Sequence, residues 1–274
     1  MPRFLILYQL NQSECNALSY MIQNIGGIMF DPYLSLDGAR SILVLLLAIA
    51  QPIMGYWPQW RRWSHTTPSR SARLQTPVVP IEWAFAIWGV IFTACLAFAI
   101  WQVMPARLVD PLLRPIGWLA IAVFSLTTAW EYYVPKYDLG WPSVGLIVAT
   151  LIGLLLIMAQ LKAAEPLDVP TFWLVAAPFQ LFAGWISAAV FVNASSTLRL
   201  AGAKQGRLQS IALIAAATVL GGVVTFISGA AIYGLAIAWA LLGIVVANIV
   251  RQPDRAVAIC AGTAIPVVIA AALV

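Results

Sequence analysis

Long apolar blocks separated by short polar or basic stretches run along the chain from about residue 41 to its end. Regular alternation is weak, and blocks of this length predict helices that cross a lipid bilayer. Eight are expected, over 41–56, 82–104, 116–134, 143–161, 172–192, 211–227, 231–250 and 256–274. Pro52 interrupts the first, and Pro178 lies in the first half of the fifth, where it should bend the helix. The other structure that spans lipid, a closed barrel, needs short alternating strands instead. The pattern therefore predicts an all-α polytopic membrane protein.

The connections differ in character. Residues 1–40 are weakly patterned and read as a loose tail, with Met21 and Met29 as alternative starts, or as a short interfacial helix. The loop 57–80 is long for a membrane-protein turn. In it Trp57, Trp60 and Trp63 recur every third residue beside Arg61 and Arg62, which suits an interfacial anchor or a lid over a pocket. Gly145, Ala149 and Gly153 are spaced four apart, as are Ala217 with Gly221 and Gly243 with Ala247; such small residues let helices pack closely. After residue 203 the spans are built from Ala, Val, Ile and Gly, with Trp239 the one tryptophan there. The chain thus divides into a tail (1–40), a tryptophan-rich core (41–197) and a three-helix membrane extension (203–274) that should be separable from ligand binding.

Composition narrows the function. Hydrophobic residues make up 62% of the chain and charged ones only 9%, far from the quarter or so that soluble domains carry. Ten of the 15 Lys and Arg fall on alternate loops, 57–80, 131–142, 194–209 and 251–255. The positive-inside rule then places those loops in the cytoplasm and both termini outside, and the expected location is an inner membrane of bacterial type. Cys15, Cys95 and Cys260 are isolated, and no metal or redox spacing appears. No basic run interleaved with aromatics points to nucleic acid.

The chemistry lies in aromatic residues. Phe85, Trp88 and Phe92 sit at i, i+3 and i+7 and line one helix face. Trp88 is a turn or more inside the span, where a lipid-facing helix would hold Leu, Ile or Val, so this face suits other helices or a flat ligand. Pro178, Phe182, Trp185 and Ala189 share a face of the fifth span, with Asn193 just beyond. Trp88, Trp130 and Trp185 are expected to approach a common cavity. Glu82 and Glu131 fall at predicted helix ends, within reach of water. His65 reads as a loop histidine, with axial haem ligation as the alternative. No nucleophile–base pair, metal cluster or phosphate loop supports catalysis, so a non-enzymatic protein with no obligatory cofactor is expected.

These motifs resemble the tryptophan-rich sensory protein, or translocator protein, family. Its second helix reads proline, then Trp-x-Phe-x-x-Trp and an aromatic four further on, matched by Pro80, Trp83, Phe85, Trp88 and Phe92. The third helix has an Asn-x-x-Trp element, to which Thr127–Trp130 is similar with threonine replacing asparagine. Pro178, Trp185 and Asn193 match the fifth, giving the longer form of the family with added C-terminal helices. The resemblance implies a five-helix bundle, homodimers, and a pocket for porphyrin, haem or sterol-like ligands in a sensing or transport role. The pocket would be built from Trp83, Phe85, Trp88, Phe92, Trp130, Phe182, Trp185 and Asn193. The first loop would close it, with Trp60, Arg61 and Arg62 meeting the ligand's propionates. Leu126, Tyr132 and Lys136 also fit a loose sterol pattern. Two other readings are a secondary transporter of a small solute and a structural subunit of a larger membrane complex.

Overall fold

A computed structural model describes residues 31–74, 76–204, 206–251 and 254–273; the segment 1–30 lies outside them, and with it most of the expected tail. Helix α1 spans Leu36–Trp60. Ser35 caps it, its Oγ accepting from Gly38 N at 3.1 Å, and Asp37 in the first turn complements the helix dipole. The helix starts inside the stretch expected to be tail because Arg40 is anchored in the bundle. Its guanidinium donates to Asp37 and to Leu108 O, both at 2.8 Å. Gly117 makes room for it, since a Cβ there would overlap the Arg40 side chain. At its other end α1 continues through Pro52 and Pro58, so Trp57 and Trp60 form its last turn rather than a loop.

A short helix, α2 (Thr67–Leu74), occupies the following connection. A 3₁₀ turn, Glu82–Ala86, then leads into α3 (Ile87–Gln102). Helices α4 (Leu113–Tyr137) and α5 (Trp141–Ala163) follow. Helix α6 (Ala177–Leu200) is entered through a π turn, Phe172–Ala176. Pro178 has no N–H to return to the preceding turn, and the helix widens just before it: Ala177 N bonds back to Phe172 O, five residues away. The distortion expected at Pro178 is therefore a widened turn ahead of it.

Helices α7 (Arg207–Ser228), α8 (Ala231–Val250) and α9 (Arg255–Ala270) complete the chain. Gly229, at φ 67°, lets α7 turn directly into α8. Among the described residues, seven helical segments are long and apolar enough to cross a membrane. The expected eighth span is shorter: α9 has 16 residues and contains Pro266. At 1.5 Å per residue it reaches about 24 Å, against a hydrocarbon core of about 30 Å.

Packing follows the small residues. Gly184 of α6 faces the backbone of Tyr233 in α8 so closely that a Cβ would collide with its carbonyl. Beside that contact Ser187 Oγ and Tyr233 Oη share a buried hydrogen bond of 2.8 Å. Gly243 of α8 admits Pro80 and Ala84, and Gly221 of α7 admits Ile237. In α5 the stripe is used only in part, because Gly153 meets Val123 while Gly145 faces open space.

Candidate functional site

Trp88 is the hub of an aromatic cluster between α3, α4 and α6. Its ring stacks on Phe92 (centroids 5.3 Å apart) and lies nearly parallel to Trp130 (6.2 Å, 27°). It meets Phe182 and Trp185 edge-on at 5.9 and 6.3 Å, and Phe85 meets Trp185 edge-on at 5.7 Å. The i, i+3, i+7 spacing of Phe85, Trp88 and Phe92 survives the change from 3₁₀ turn to α-helix, so the three rings form one wall.

In front of that wall lies a cavity of about 260 Å³. Gly55, Tyr56 and Gln59 from the end of α1 face Phe85, Trp88 and Phe92 across it. Thr67 of α2 covers one end, and Glu131 of α4 reaches in from the side. Ala86 and Gly89, both exposed, edge its mouth. A ring inserted here would find π-faces and one carboxyl group.

The other expected site residues lie elsewhere. Trp130, Phe182 and Trp185 are buried but form the layer behind Trp88, and neither Trp130 nor Trp185 has a partner for its indole N–H among the described residues. The three tryptophans thus come together as a packed cluster, and of them only Trp88 lines the cavity. Trp83 turns the other way, because the 3₁₀ turn aims it at α8. It packs edge-on against Trp239 at 4.9 Å, while Trp239 Nε1 donates to Ala84 O at 2.9 Å. Asn193 is buried between α5 and α6, accepting from Ser143 Oγ at 2.9 Å, and ties those helices together. Trp60, Arg61 and Arg62 are exposed beyond the cavity, with Arg61 over the Trp57 ring at 5.8 Å. Half-buried His65 does not line the cavity either.

The connecting segment is fastened to the end of α4. Arg70 and Arg73 both bind Asp138, at 2.9 and 2.5 Å, and Arg70 also donates to Pro135 O. Trp63 meets Tyr132 edge-on, and Lys136 lies over the Trp63 ring at 5.3 Å. Among the described residues no group of three or more His, Cys, Asp and Glu lies together.

Glu131 is a cavity residue that sequence reasoning misses. Helix α4 runs on to Tyr137, so Glu131 lies more than a turn inside and is only 5% exposed. Its spacing of four from the buried Thr127 and its place beside Trp130 carried the signal.

A helical membrane bundle with a cavity walled by tryptophan and phenylalanine is the class of protein that these features define. Residues 41–274 match the family model described as TSPO-like protein, and the chain belongs to that family. The match runs through α7, α8 and α9 as well as the tryptophan-rich helices. No curated protein and no solved structure matches the chain.

Proposed function

We propose that this TSPO-like protein is a membrane receptor or carrier that takes flat hydrophobic ligands, porphyrin or haem among them, into the cavity between α1, α3 and α4. The observation that carries this reading is the continuous wall of Phe85, Trp88 and Phe92 facing an open space. Aromatic faces hold a planar ligand by area burial and by ring pairing of about 0.5–1.5 kcal/mol each. At about 260 Å³, the space is near the lower end of ligand pockets, roughly 300–1,000 Å³. A macrocycle would therefore enter edge-on, leaving its propionates outside on the side of Arg61 and Arg62. The concentration of Lys and Arg on the loops at this end favours placing the cavity mouth near the cytoplasmic face.

Quenching of tryptophan emission by protoporphyrin in the purified protein tests the reading. Saturable quenching that Trp88→Ala weakens supports it. Non-saturable quenching, or saturable quenching unchanged in Trp88→Ala, rejects it.

A further inference from the structure

Resting on that reading, we propose that the cavity selects flat aromatic ligands that carry a protonated nitrogen, with Glu131 as the anion that receives it.

Glu131 lines the cavity, is 5% exposed, and makes no hydrogen bond or ion pair within the described residues. Its Oε2 occupies the space that a Cβ at Gly55 would need, so α1 carries a glycine where the carboxyl group turns toward the cavity. A carboxylate held away from water without a partner is strongly disfavoured, so such a group keeps its proton until a cation pairs with it. Among the described residues, no Lys or Arg lines this cavity. Of the basic side chains on the adjoining segments, Arg70 and Arg73 bind Asp138, Lys136 lies over Trp63 and Arg61 over Trp57, while Arg62 is exposed and does not line the cavity.

The surroundings suit a cation from outside the chain. Trp88 and Phe92 flank the space with their rings, and Tyr56 faces them. Aromatic faces attract a delocalised cation through the negative potential of their π-systems, most strongly where water is scarce. A planar aromatic ammonium or amidinium satisfies both halves of the site at once, stacking on the wall and donating to Glu131. A porphyrin with its propionates outside satisfies the aromatic half alone, and a ligand that brings an anionic group inside finds no cation there and opposes ionisation of Glu131. Selection by charge is thus built into the side of the pocket that Glu131 lines, while shape is set by the aromatic wall.

Three tricyclic probes of similar outline separate these contributions: aminoacridine, a cation at neutral pH; anthracene, which is neutral; and anthracene carboxylate, an anion. Affinity is read from tryptophan quenching of the full-length protein in uncharged maltoside micelles. Aminoacridine should bind at least about tenfold tighter than anthracene, the scale of a hydrogen bond to a charged group, and the carboxylate weakest of all. In Glu131→Gln the cation's advantage should shrink to about twofold or less while anthracene affinity stays. Gly55→Ala, which forces the carboxyl group aside, should erode the same advantage and covers the case in which Glu131→Gln fails to fold. Equal binding of cation and neutral probe in the natural protein, or an advantage that survives both substitutions, overturns the charge inference and leaves the aromatic cavity standing. If no probe binds saturably, or Trp88→Ala leaves all three unchanged, the cavity reading itself fails.

Discussion

Arg251, at the end of α8, binds Glu82 at 2.9 Å and so ties the last helices to the turn that opens α3. The same guanidinium donates to Val79 O at 2.7 Å, and one turn earlier Asn248 Nδ2 donates to Pro77 O at 2.7 Å. With the bond from Trp239 to Ala84 O, α8 fixes both ends of the segment from which Phe85 enters the cavity wall. Residues 203–274 look inert in composition, yet Trp239, Asn248 and Arg251 hold this segment.

Arg251→Ala should therefore act on the cavity from a distance. The side chain is largely buried and bonds Glu82, Val79 O and, at 3.5 Å, Pro80 O, so its loss should cost about 2–4 kcal/mol. Glu82→Gln should cost less than about 1 kcal/mol, because Glu82 is more than half exposed and the carbonyl bond of Arg251 remains. Thermal unfolding in detergent measures both. A larger effect for Glu82→Gln would mean that the ion pair, and not the backbone bracing, fixes the segment.

Trp88 and Trp83 belong to one motif but should behave differently. Trp88 packs on four aromatic neighbours and faces the cavity, so Trp88→Ala should destabilise the bundle by about 3–5 kcal/mol and weaken aromatic ligands. Trp83 leans on Trp239 and is 42% exposed, so Trp83→Ala should leave ligand affinity nearly unchanged. Titration of the two variants with one planar ligand decides this, and equal losses would contradict the assigned orientation of the 3₁₀ turn.

The hydropathy pattern was enough to read the helical bundle, because each span must carry its own backbone hydrogen bonds in lipid. The aromatic wall was legible through the helical spacing of Phe85, Trp88 and Phe92. Orientation was not. Trp83 joins that wall only through the family resemblance, and the 3₁₀ geometry of Glu82–Ala86 turns it toward α8 instead. Arg40 and Glu131 were misread for a common reason. Helix ends were drawn where hydropathy falls, but α1 and α4 extend beyond those points and carry both charged groups inside. The bracing by Arg251 joins residues 169 positions apart, which no local pattern encodes.

A pH effect is expected at the start of α9. Asp254 accepts from Arg207 Nε at 3.0 Å and from the N–H groups of Ala256 and Val257. The hydrogen bond from Arg207 comes first among the causes that hold its carboxyl below the ordinary carboxylate value. A group depressed on folding stabilises the fold above its unfolded pKa and loses that contribution as pH falls through the folded value. The loss should thus be confined to pH below about 4. Asp254→Asn should flatten the melting-temperature profile there while leaving pH 6–8 level. A change in the neutral range instead would point to a different titrating group.

The order of effects on porphyrin binding is the sharpest test of where the ligand sits. If it enters the cavity, its affinity comes from ring stacking and burial, and a micromolar dissociation constant requires about 8 kcal/mol. Arg61 and Arg62 are exposed outside the cavity, where pairing with a propionate is screened and contributes about 1 kcal/mol or less. Trp88→Ala should hence weaken protoporphyrin far more than Arg61→Ala or Arg62→Ala, and Trp185→Ala, acting from the layer behind, should fall between them. Raising salt from about 0.05 to 0.5 M shortens the screening length several-fold and should change affinity little. Dominant effects from the arginine variants and from salt would instead place the macrocycle on the membrane surface. The cluster around Trp88 would then be helix packing, and the cavity would be left to smaller ligands.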